Sequence, residues 1–507
     1  MKKILYPVIA LPTLCFSLVS YDAYRNSSKP SIYENASYKL GFKGYEKNGT
    51  QISRAEHQDA LLRQLQIAGY LKPENIWRDI NQIGIQKPEI LFKDLYKIVK
   101  KTNADSENPS DFNAKLFRKN FGKNSHITES EMMDFLLYIA QNAFEREQGQ
   151  ERNELSKKSW IQKYSEEFKT NSTILGLIDA QNPTLTKYEG AWIMGASRPG
   201  LLARLIDYDY NINKYHININ GNIMILAGQR ELWANIDGID PNLLAILNKS
   251  FNEKMGLNHI DTQSLNAIES VQEGREYMLQ LAKNNNIKYN LSQPFVEYKT
   301  QAECPSGYFP NRVYMNYDKS ETQKLTETLM SLDLQKTYLP NATKLLIIDT
   351  SLDKDKRPTT STTSKDAAEK FIEDIISGKY GEQKEFAILV QTNNPYIERQ
   401  ALSAQRAVNQ VIKDKGLDPN IYKIKVYGTG FETKQDLSVV HSEFAALMAE
   451  KWKIAVEEND STNTHRSIEG LSFQTRQKYK MEIPEMPTIE DSVNTNYLQD
   501  FFDYYTE

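Results

Sequence analysis

The sequence predicts an α/β fold, in which a parallel sheet covered by helices on both faces follows an all-helical region. After residue 190, short apolar runs of strand character recur, and longer stretches with helical periodicity separate most of them. The strand-like runs are Ala191–Met194, Ile223–Leu226, Leu345–Ile348, Phe386–Val390 and Ile424–Val426. The helical stretches are Pro199–Asp207, Thr262–Asn284, Ser364–Ser377, Pro395–Lys413 and Leu437–Trp452. This alternation is typical of a doubly wound sheet.

Composition limits the class of protein. The chain has 507 residues, of which 40% are hydrophobic, enough to fill the cores of roughly two to four domains. A mean hydropathy of −0.60 excludes a protein with many membrane spans. Lys and Arg number 62 against 66 Asp and Glu, without long blocks of one sign, so we expect no nucleic-acid partner.

Cysteine and histidine usage indicates neither a disulfide framework nor a metal site. The two cysteines are Cys15 and Cys304, and the six histidines are scattered without ligand spacing. We therefore predict no metal and no cofactor.

The N-terminus resembles a targeting segment. Lys2 and Lys3 precede an almost uncharged, mostly apolar run from Ile4 to Ser20. Residues 1–25 are therefore predicted to be a signal peptide, or a signal anchor that associates with the membrane. Either directs the protein to the periplasm or cell envelope, and a cleaved signal also allows secretion. The alternative is a buried N-terminal segment of a cytoplasmic protein.

A helical domain is predicted over residues 55–185, after a polar linker over 26–54. Apolar residues recur at helical spacing in four places, and Thr128 with Glu131 resembles a capping box before the third. These places are Leu61–Ile67, Phe92–Val99, Met132–Ile139 and Trp160–Phe168. A structural bundle is the simplest interpretation, and an interaction or scaffold role is the alternative.

The α/β domain is predicted over residues 186–455. Its nucleus is Ala191–Asp237, where two strand-to-loop junctions follow each other closely. Around Asn220-Gly221 the sequence allows either a hairpin or a lead-in to one strand. Residues of about 290–344 do not fit the alternation and are interpreted as an insertion, of the kind that often forms a lid. Residues 456–507 form a polar tail with an acidic-aromatic end.

Polar residues follow the predicted strands, and at the carboxyl edge of a parallel sheet they form candidate binding sites. Gly195, Ser197 and Arg198 follow the first strand and precede a helix, an arrangement that suits an anion. Gly228 ends the second strand. Glu273, at the start of a helix, is the candidate catalytic acid or base, although helix-dipole stabilisation alone would explain a carboxylate there.

Two later stretches add further candidates. The hydroxyl-rich run Thr359–Ser364 precedes a helix, and Thr363 and Asp366 are the candidate ligand contacts. The fourth strand ends in Thr392 and Asn393, and Tyr396 and Arg399 follow in the first turns of the next helix. Arg198 and Arg399 would hold an anion, while Thr363, Thr392 and Asn393 would orient it.

These motifs resemble the SanA/YdcF/ElyC-type family of bacterial envelope proteins over roughly residues 190–455. Gly195 and Arg204 match the first glycine loop and the arginine of its helix, Ala227-Gly228 the strand end Ser-Gly-Gly, and Glu273 the helix-starting acid. Thr363–Ala367 stands at the family's T-x-E-N-A, where Lys365 and Asp366 replace Glu and Asn. Thr392–Arg399 stands at T-S-x-x-H-x-x-R, where Tyr396 replaces His. The resemblance implies a Rossmann-like fold and a role in the cell envelope.

The leading functional hypothesis is an exported bacterial protein that binds an anionic ligand, such as a phosphosugar, a nucleotide or a lipid-carrier head group. Tyrosine ordinarily titrates near pH 10, so Tyr396 would be a poor general base. The sequence therefore does not decide whether the protein is an enzyme. One alternative is a non-catalytic, secreted or effector-like interaction protein that uses the helical domain and the tail. Another is a cytoplasmic hydrolase or transferase. The sequence does not identify a protein partner.

Overall fold

A computed structural model describes residues 32–67, 164–234, 271–300, 302–304, 312–317, 325–339, 344–351, 358–433 and 437–459, and single residues between these ranges. The predicted targeting segment, the second predicted helix and nearly all of the tail lie outside the described residues. The chain divides into two compact units. The first consists of residues 1–45, 51–175 and 451–507, and the second of residues 46–50 and 176–450.

The described residues of the first unit are largely helical. Among the described residues, three helices lie wholly within it, and the two strands of a short hairpin include residues of both units. The helices are α1 (Ile32–Lys39), α2 (Arg54–Ile67) and α3 (Ser165–Ile174), and the hairpin strands are β1 (Tyr45–Lys47) and β2 (Thr50–Ile52). Before α2, Ser53 and Glu56 form a capping box, in which the Ser53 N–H donates to Oε2 of Glu56 over 2.8 Å and the Glu56 N–H to Oγ of Ser53 over 3.2 Å.

Helices α2 and α3 pack against each other, and the buried Gln64 amide donates to the Ser172 hydroxyl over 3.2 Å. The structure also places α1 and the hairpin within residues 26–54, where composition predicts a linker. Tyr33 and Phe42 are fully buried, which explains why this stretch forms regular structure. Most of the predicted helical domain lies outside the described residues and stays a prediction.

The second unit alternates strands and helices, as the sequence predicts. Its strands are β3 (Lys187–Tyr188), β4 (Gly190–Met194), β5 (Asn218–Ile219), β6 (Ile223–Gly228), β7 (Phe295–Tyr298), β8 (Arg312–Met315), β9 (Leu345–Thr350), β10 (Glu385–Asn393) and β11 (Lys423–Phe431). Its helices are α4 (Arg198–Lys214), α5 (Val271–Asn284), α6 (Glu327–Tyr338), α7 (Thr360–Ile376), α8 (Ile397–Asp414) and α9 (Leu437–Asn459), whose last turns belong to the first unit. Each of the five strand-like runs of the sequence lies in one strand of a single sheet.

The central sheet has five parallel strands in the order β9-β6-β4-β10-β11. The first strand of this sheet along the chain, β4, is central, and the next two strands of the sheet, β6 and β9, are added on one side of it. The chain then returns, and β10 and β11 are added on the other side. This is the strand order of doubly wound sheets, in which ligands bind outside the carboxyl ends of the strands, where the order reverses. Here the strand order reverses between β4 and β10. The alternating strands and helices and the parallel sheet confirm the predicted α/β fold class.

Helices cover both faces of the sheet, so the strands are apolar on both sides. On one face α4, α5 and α6 pack against residues such as Ala191, Ile193 and Ile225. On the other, α7 and α8 pack against Trp192, Met194 and their neighbours. Successive side chains along a strand therefore pack into different hydrophobic cores, one on each face of the sheet.

Two local ambiguities of the sequence are resolved by strand pairing. β5 pairs in parallel with β3, with Asn218 opposite Lys187, so HININ is a lead-in to β6 and not one arm of a hairpin. Within the predicted insertion, β7 and β8 form an antiparallel pair. The insertion's last part, α6, packs on β6 and β9 through buried Met330 and Leu334 and therefore belongs to the helical cover. None of the described helices is both long and apolar enough to cross a membrane.

Candidate functional site

Ten of the eleven sequence-predicted site residues lie where the chain leaves the carboxyl edge of the sheet. Gly228, Thr392 and Asn393 end their strands, and the others lie in the loops and first helical turns that follow. These others are Gly195, Ser197, Arg198, Thr363, Asp366, Tyr396 and Arg399. The remaining candidate, Glu273, is the third residue of α5, and its side chain lies outside the described part of the structure.

Arg204 connects the two strands at the point where the strand order reverses. From α4, its guanidinium Nη1 donates to the carbonyl oxygens of Met194 and Gly195 over 2.8 and 2.7 Å, at the end of β4. Its Nε donates to Oδ1 of Asn393, at the end of β10, over 2.9 Å. The side chain is buried, so a fixed positive charge lies beneath the crevice where doubly wound proteins bind ligands.

The start of α4 is occupied by a carboxylate of the chain itself. Oδ1 of Asp237 accepts the Arg198 N–H over 3.0 Å, and Oδ2 accepts the Trp233 N–H over 2.9 Å. The Arg230 guanidinium donates to both oxygens, over 2.9 and 3.0 Å. Asp237 is fully buried. Asp237 thus takes the position at the helix N-terminus that the sequence offered to an external anion.

Gly195 is required by close packing. A Cβ at this position would lie 2.3 Å from Oε1 of Glu327 and 2.4 Å from the carbonyl oxygen of Leu226. Glu327 in turn approaches Nε of Arg230 at 3.5 Å. The glycine therefore lets a charged group from α6 reach the end of β4.

The Arg198 side chain points towards α5. Its guanidinium carbon lies 4.6 Å from the centre of the Tyr277 ring, and the Tyr277 hydroxyl donates to Oδ2 of Asp333 over 3.0 Å. Burial raises the pKa of Tyr277, so the phenol stays protonated. Arg198 itself is buried, and its Nε has no hydrogen-bond partner.

The hydroxyl-rich start of α7 is used largely by the helix itself. Thr359 and Thr362 form a capping box, and the Thr363 hydroxyl donates back to the carbonyl oxygens of Thr359 and Thr360 over 3.2 Å each. Ser364 differs, because its hydroxyl is fully buried and has no partner. The buried hydroxyl of this run that has no partner is therefore on Ser364, one residue after the predicted contact.

Side chains around the start of α8 also contact one another. The Thr392 hydroxyl bonds to Oε1 of Gln400, and the Tyr396 hydroxyl donates to Oε1 of Gln435 over 3.2 Å. Arg399 forms an ion pair with Glu443, a buried carboxylate of α9. The charge of Arg399 is therefore compensated within the protein.

Asn394, directly after β10, is buried, and only one of the two polar atoms of its side chain has a hydrogen-bond partner. Its Nδ2 donates to the carbonyl oxygen of Asp179, while its Oδ1 has no partner. Tyr396, the N-cap residue of α8, gives no side-chain hydrogen bond to the first turn of that helix. An acceptor that needs a donor therefore lies two residues before this N-cap.

Four buried polar side-chain atoms at this edge have no hydrogen-bond partner: Nε of Arg198, Oγ1 of Thr350, Oγ of Ser364 and Oδ1 of Asn394. Each of the four belongs to a strand end or to the segment that follows one; Nε1 of Trp192, inside β4, is also without a partner. Other such atoms lie elsewhere among the described residues, for example Oε1 of Gln58 and Nδ2 of Asn171 in the first unit. Sequence reasoning missed Thr350, although its position at a strand end was a usable signal.

No sequence signal pointed to one further charged group at this edge, the ammonium of Lys47. Lys47, the last residue of β1, donates from Nζ to the carbonyl oxygen of Asp179 over 3.1 Å. Its side chain is only 9% exposed, and Oδ2 of Asp179 lies 3.7 Å from Nζ. Burial lowers the pKa of the Lys47 ammonium, although Asp179 and Glu398 act in the opposite direction.

Among the described residues, no group of three or more His, Cys, Asp or Glu side chains could hold a metal ion. The fold and the polar edge define an α/β protein with a doubly wound sheet and a candidate ligand site at its carboxyl edge. No protein-family model matches the chain, and neither a curated protein nor a solved structure matches it. The resemblance to the SanA/YdcF/ElyC-type family therefore rests on its short motifs alone.

Proposed function

We propose that the second unit binds a small anionic ligand at the carboxyl edge of its sheet, as a phosphosugar, a nucleotide or a lipid-carrier head group would bind. The observation that carries this proposal is the set of unpartnered buried atoms on Arg198, Thr350, Ser364 and Asn394. Buried polar groups in native proteins almost always have partners, so four exceptions at the ends of strands or in the segments that follow them support a ligand site at this edge.

The chemistry of these atoms favours an anion. Nε of Arg198 is a donor on a permanent charge, and no ion pair joins this buried guanidinium to a carboxylate of the described residues. The hydroxyls of Thr350 and Ser364 can donate or accept, and Oδ1 of Asn394 requires a donor. A phosphate monoester with neighbouring hydroxyl groups offers both kinds of partner.

The strand order supports assignment of this domain to the Rossmann-like folds. These folds have the same strand order, and their ligands bind at the point where it reverses. Together with the resemblance and the apolar N-terminus, this favours an exported protein of the bacterial envelope. The proposal is one of binding: Glu273 is the candidate acid or base should a reaction occur, and Tyr396 replaces the histidine of the family.

Thermal-shift measurements with phosphosugars and nucleotides test the proposal. Thr350→Val and Ser364→Ala remove hydroxyls that make no hydrogen bond in the ligand-free protein, so neither should lower its melting temperature by more than a few degrees. Both should reduce ligand-induced stabilisation. Ser377→Ala is the matched control, because its hydroxyl bonds to the Asp374 carbonyl oxygen at the opposite end of α7. Equal ligand response in all four proteins would contradict the site.

Carboxylates of the chain itself take some of the predicted anion contacts. This favours a second candidate function, that of a non-catalytic interaction protein. Asp237 fills the start of α4, and Glu443 neutralises Arg399, so two of the predicted anion contacts are used within the chain. This candidate predicts no stabilisation by any anion in the screen. It also predicts that deletion of residues 460–507 abolishes partner capture without lowering the melting temperature.

A further inference from the structure

We infer that Lys47, at the end of the first strand of an N-terminal hairpin, is a ligand contact of the carboxyl-edge site, with its ammonium directed at the anionic group. This inference rests on the proposed function and assigns it a specific residue. Lys47 lies more than a hundred residues before the first strand of the sheet, yet Glu46–Thr50 belongs to the same compact unit as that sheet.

The turn is anchored through a short segment that covers the ends of β10 and β11. The Asn48 Nδ2 donates to the carbonyl oxygen of Ala180 over 2.9 Å, and Oδ1 of Asn48 accepts the Asn182 N–H over 3.1 Å. Gln181 exchanges backbone hydrogen bonds of 2.9 and 3.0 Å with Gly430, at the end of β11. Residues 47–48 and 178–182 therefore have fixed positions at this edge.

A shared acceptor places Lys47 beside the strand reversal. The carbonyl oxygen of Asp179 accepts from Nζ of Lys47 and also from Nδ2 of Asn394, the first residue after β10. Two donors on one oxygen lie within roughly 6 Å of each other, given ordinary hydrogen-bond lengths. The Lys47 ammonium is therefore adjacent to Asn394, whose Oδ1 has no partner.

The ammonium is incompletely compensated where it lies. It has three N–H donors; the Asp179 carbonyl oxygen takes one, and the Asp179 carboxylate also interacts with the ammonium. The Asp179 carboxylate is 3.7 Å away and about half exposed, which makes it a weak counterion. Burial lowers the Lys47 pKa despite Asp179 and Glu398, so an added anion would stabilise the charged form.

Ligand geometry follows from the neighbours. An anionic group at Lys47 would lie next to the Asn394 acceptor, so the ligand should carry a hydroxyl or amino donor beside its charge. Phosphosugars meet this requirement with alcohol hydroxyls beside the phosphate, whereas inorganic phosphate has only the protons on the anionic group itself. Glucose 6-phosphate should therefore bind more tightly than inorganic phosphate.

Three variants of the full chain test the inference. Lys47→Met removes the charge and Lys47→Arg keeps it. Lys344→Met is the matched control, because Nζ of Lys344 also donates to a backbone carbonyl, that of Asn220 over 2.7 Å, at the opposite edge of the sheet. Calorimetric titration with glucose 6-phosphate should show affinity weakened about tenfold or more in Lys47→Met, and near wild type in the other two.

A second measurement does not depend on tight binding. After reductive ¹³C-methylation, the Lys47 resonance is identified by its absence from Lys47→Arg, and the protein is titrated with inorganic phosphate. We expect a saturable shift of this resonance and a rise in the Lys47 pKa, with the Lys344 resonance unchanged.

The outcomes separate the two proposals. Wild-type binding that Thr350→Val weakens and Lys47→Met does not would uphold the carboxyl-edge site and overturn the role of Lys47. If no phosphosugar or nucleotide binds, the proposed function fails. The Lys47 inference then stands on a saturable phosphate response of its resonance, and is overturned if there is none.

Discussion

Arg204 and Asn393 are joined by a 2.9 Å hydrogen bond across the point where the strand order of the sheet reverses. The same guanidinium binds two carbonyl oxygens at the end of β4. One buried side chain therefore holds the ends of β4 and β10 in a fixed relation, and the crevice between them depends on it.

Replacement of Arg204 by Met should destabilise the second unit by roughly 3 kcal/mol or more, because three buried acceptors lose a charged donor. Urea unfolding followed by circular dichroism measures this loss. Arg275→Met, at an exposed position on α5, should stay within about 0.5 kcal/mol of wild type. Similar unfolding midpoints for the two variants would show that Arg204 does not hold the strand ends together.

A second prediction concerns Gly195. Gly195→Ala would place a Cβ 2.3 Å from Oε1 of Glu327 and 2.4 Å from the Leu226 carbonyl oxygen, so we expect a loss of roughly 2–4 kcal/mol. Gly200→Ala, in the first turn of α4, is the control: its Cβ would lie 3.1 Å from the Ala196 Cβ. Alanine favours a helix, so this change should stay within about 1 kcal/mol.

The Gly195 double variant distinguishes two sources of strain. Glu327→Ala removes the side-chain clash and leaves the backbone clash with Leu226. Gly195→Ala should therefore remain destabilising in the Glu327→Ala background, and full recovery there would assign the whole effect to Glu327.

Much of the α/β fold could be predicted because it depends on local pattern. Strands buried on both faces are continuous apolar runs, and each of the five runs became one strand of the sheet. The helix α6 was not predicted, because it lies in the stretch of about residues 290–344 that does not fit the alternation and was interpreted as an insertion. Its buried Met330 and Leu334 nevertheless follow helical spacing.

The candidate site was harder to predict from the sequence, because its contacts join distant parts of the chain. Position after a strand placed Thr392 and Asn393 at the correct edge, but nothing local indicated that Asp237 fills the start of α4. Within the run Thr359–Ser364, Thr359 and Thr362 form a capping box, and Ser364 has a buried hydroxyl without a partner. Lys47 approaches Asp179 across 132 residues of sequence, beyond any periodicity argument.

The third prediction concerns Asp237. Asp237→Asn removes the charge that two N–H groups and the Arg230 guanidinium share, and leaves Arg230 buried beside a neutral amide. We expect a loss of roughly 3–5 kcal/mol in the free energy of unfolding. Glu385→Gln, which breaks the exposed 3.0 Å pair with Lys423, should cost less than about 1 kcal/mol. Equal losses would mean that burial of the Asp237 pair has no energetic consequence.

The last prediction is a pH dependence that belongs to Lys47. Its folded-state pKa is lowered by burial from the model-compound value of 10.5, so between the two values the unfolded state binds the proton that the folded state has released. Stability then rises with pH, because the slope follows the excess of protons bound by the unfolded chain. Below the lowered pKa the ammonium is charged in both states, and the full cost of burying it remains.

Measurement of this effect uses the difference in unfolding free energy between wild type and Lys47→Met. That difference should move in favour of wild type as the pH increases from neutrality towards 10.5, and should be flat at lower pH. Lys344→Met provides the comparison, with no such trend relative to wild type. A flat difference for Lys47→Met up to pH 10.5 would show that the buried ammonium keeps an ordinary pKa. It would also remove the electrostatic support for an anion beside it.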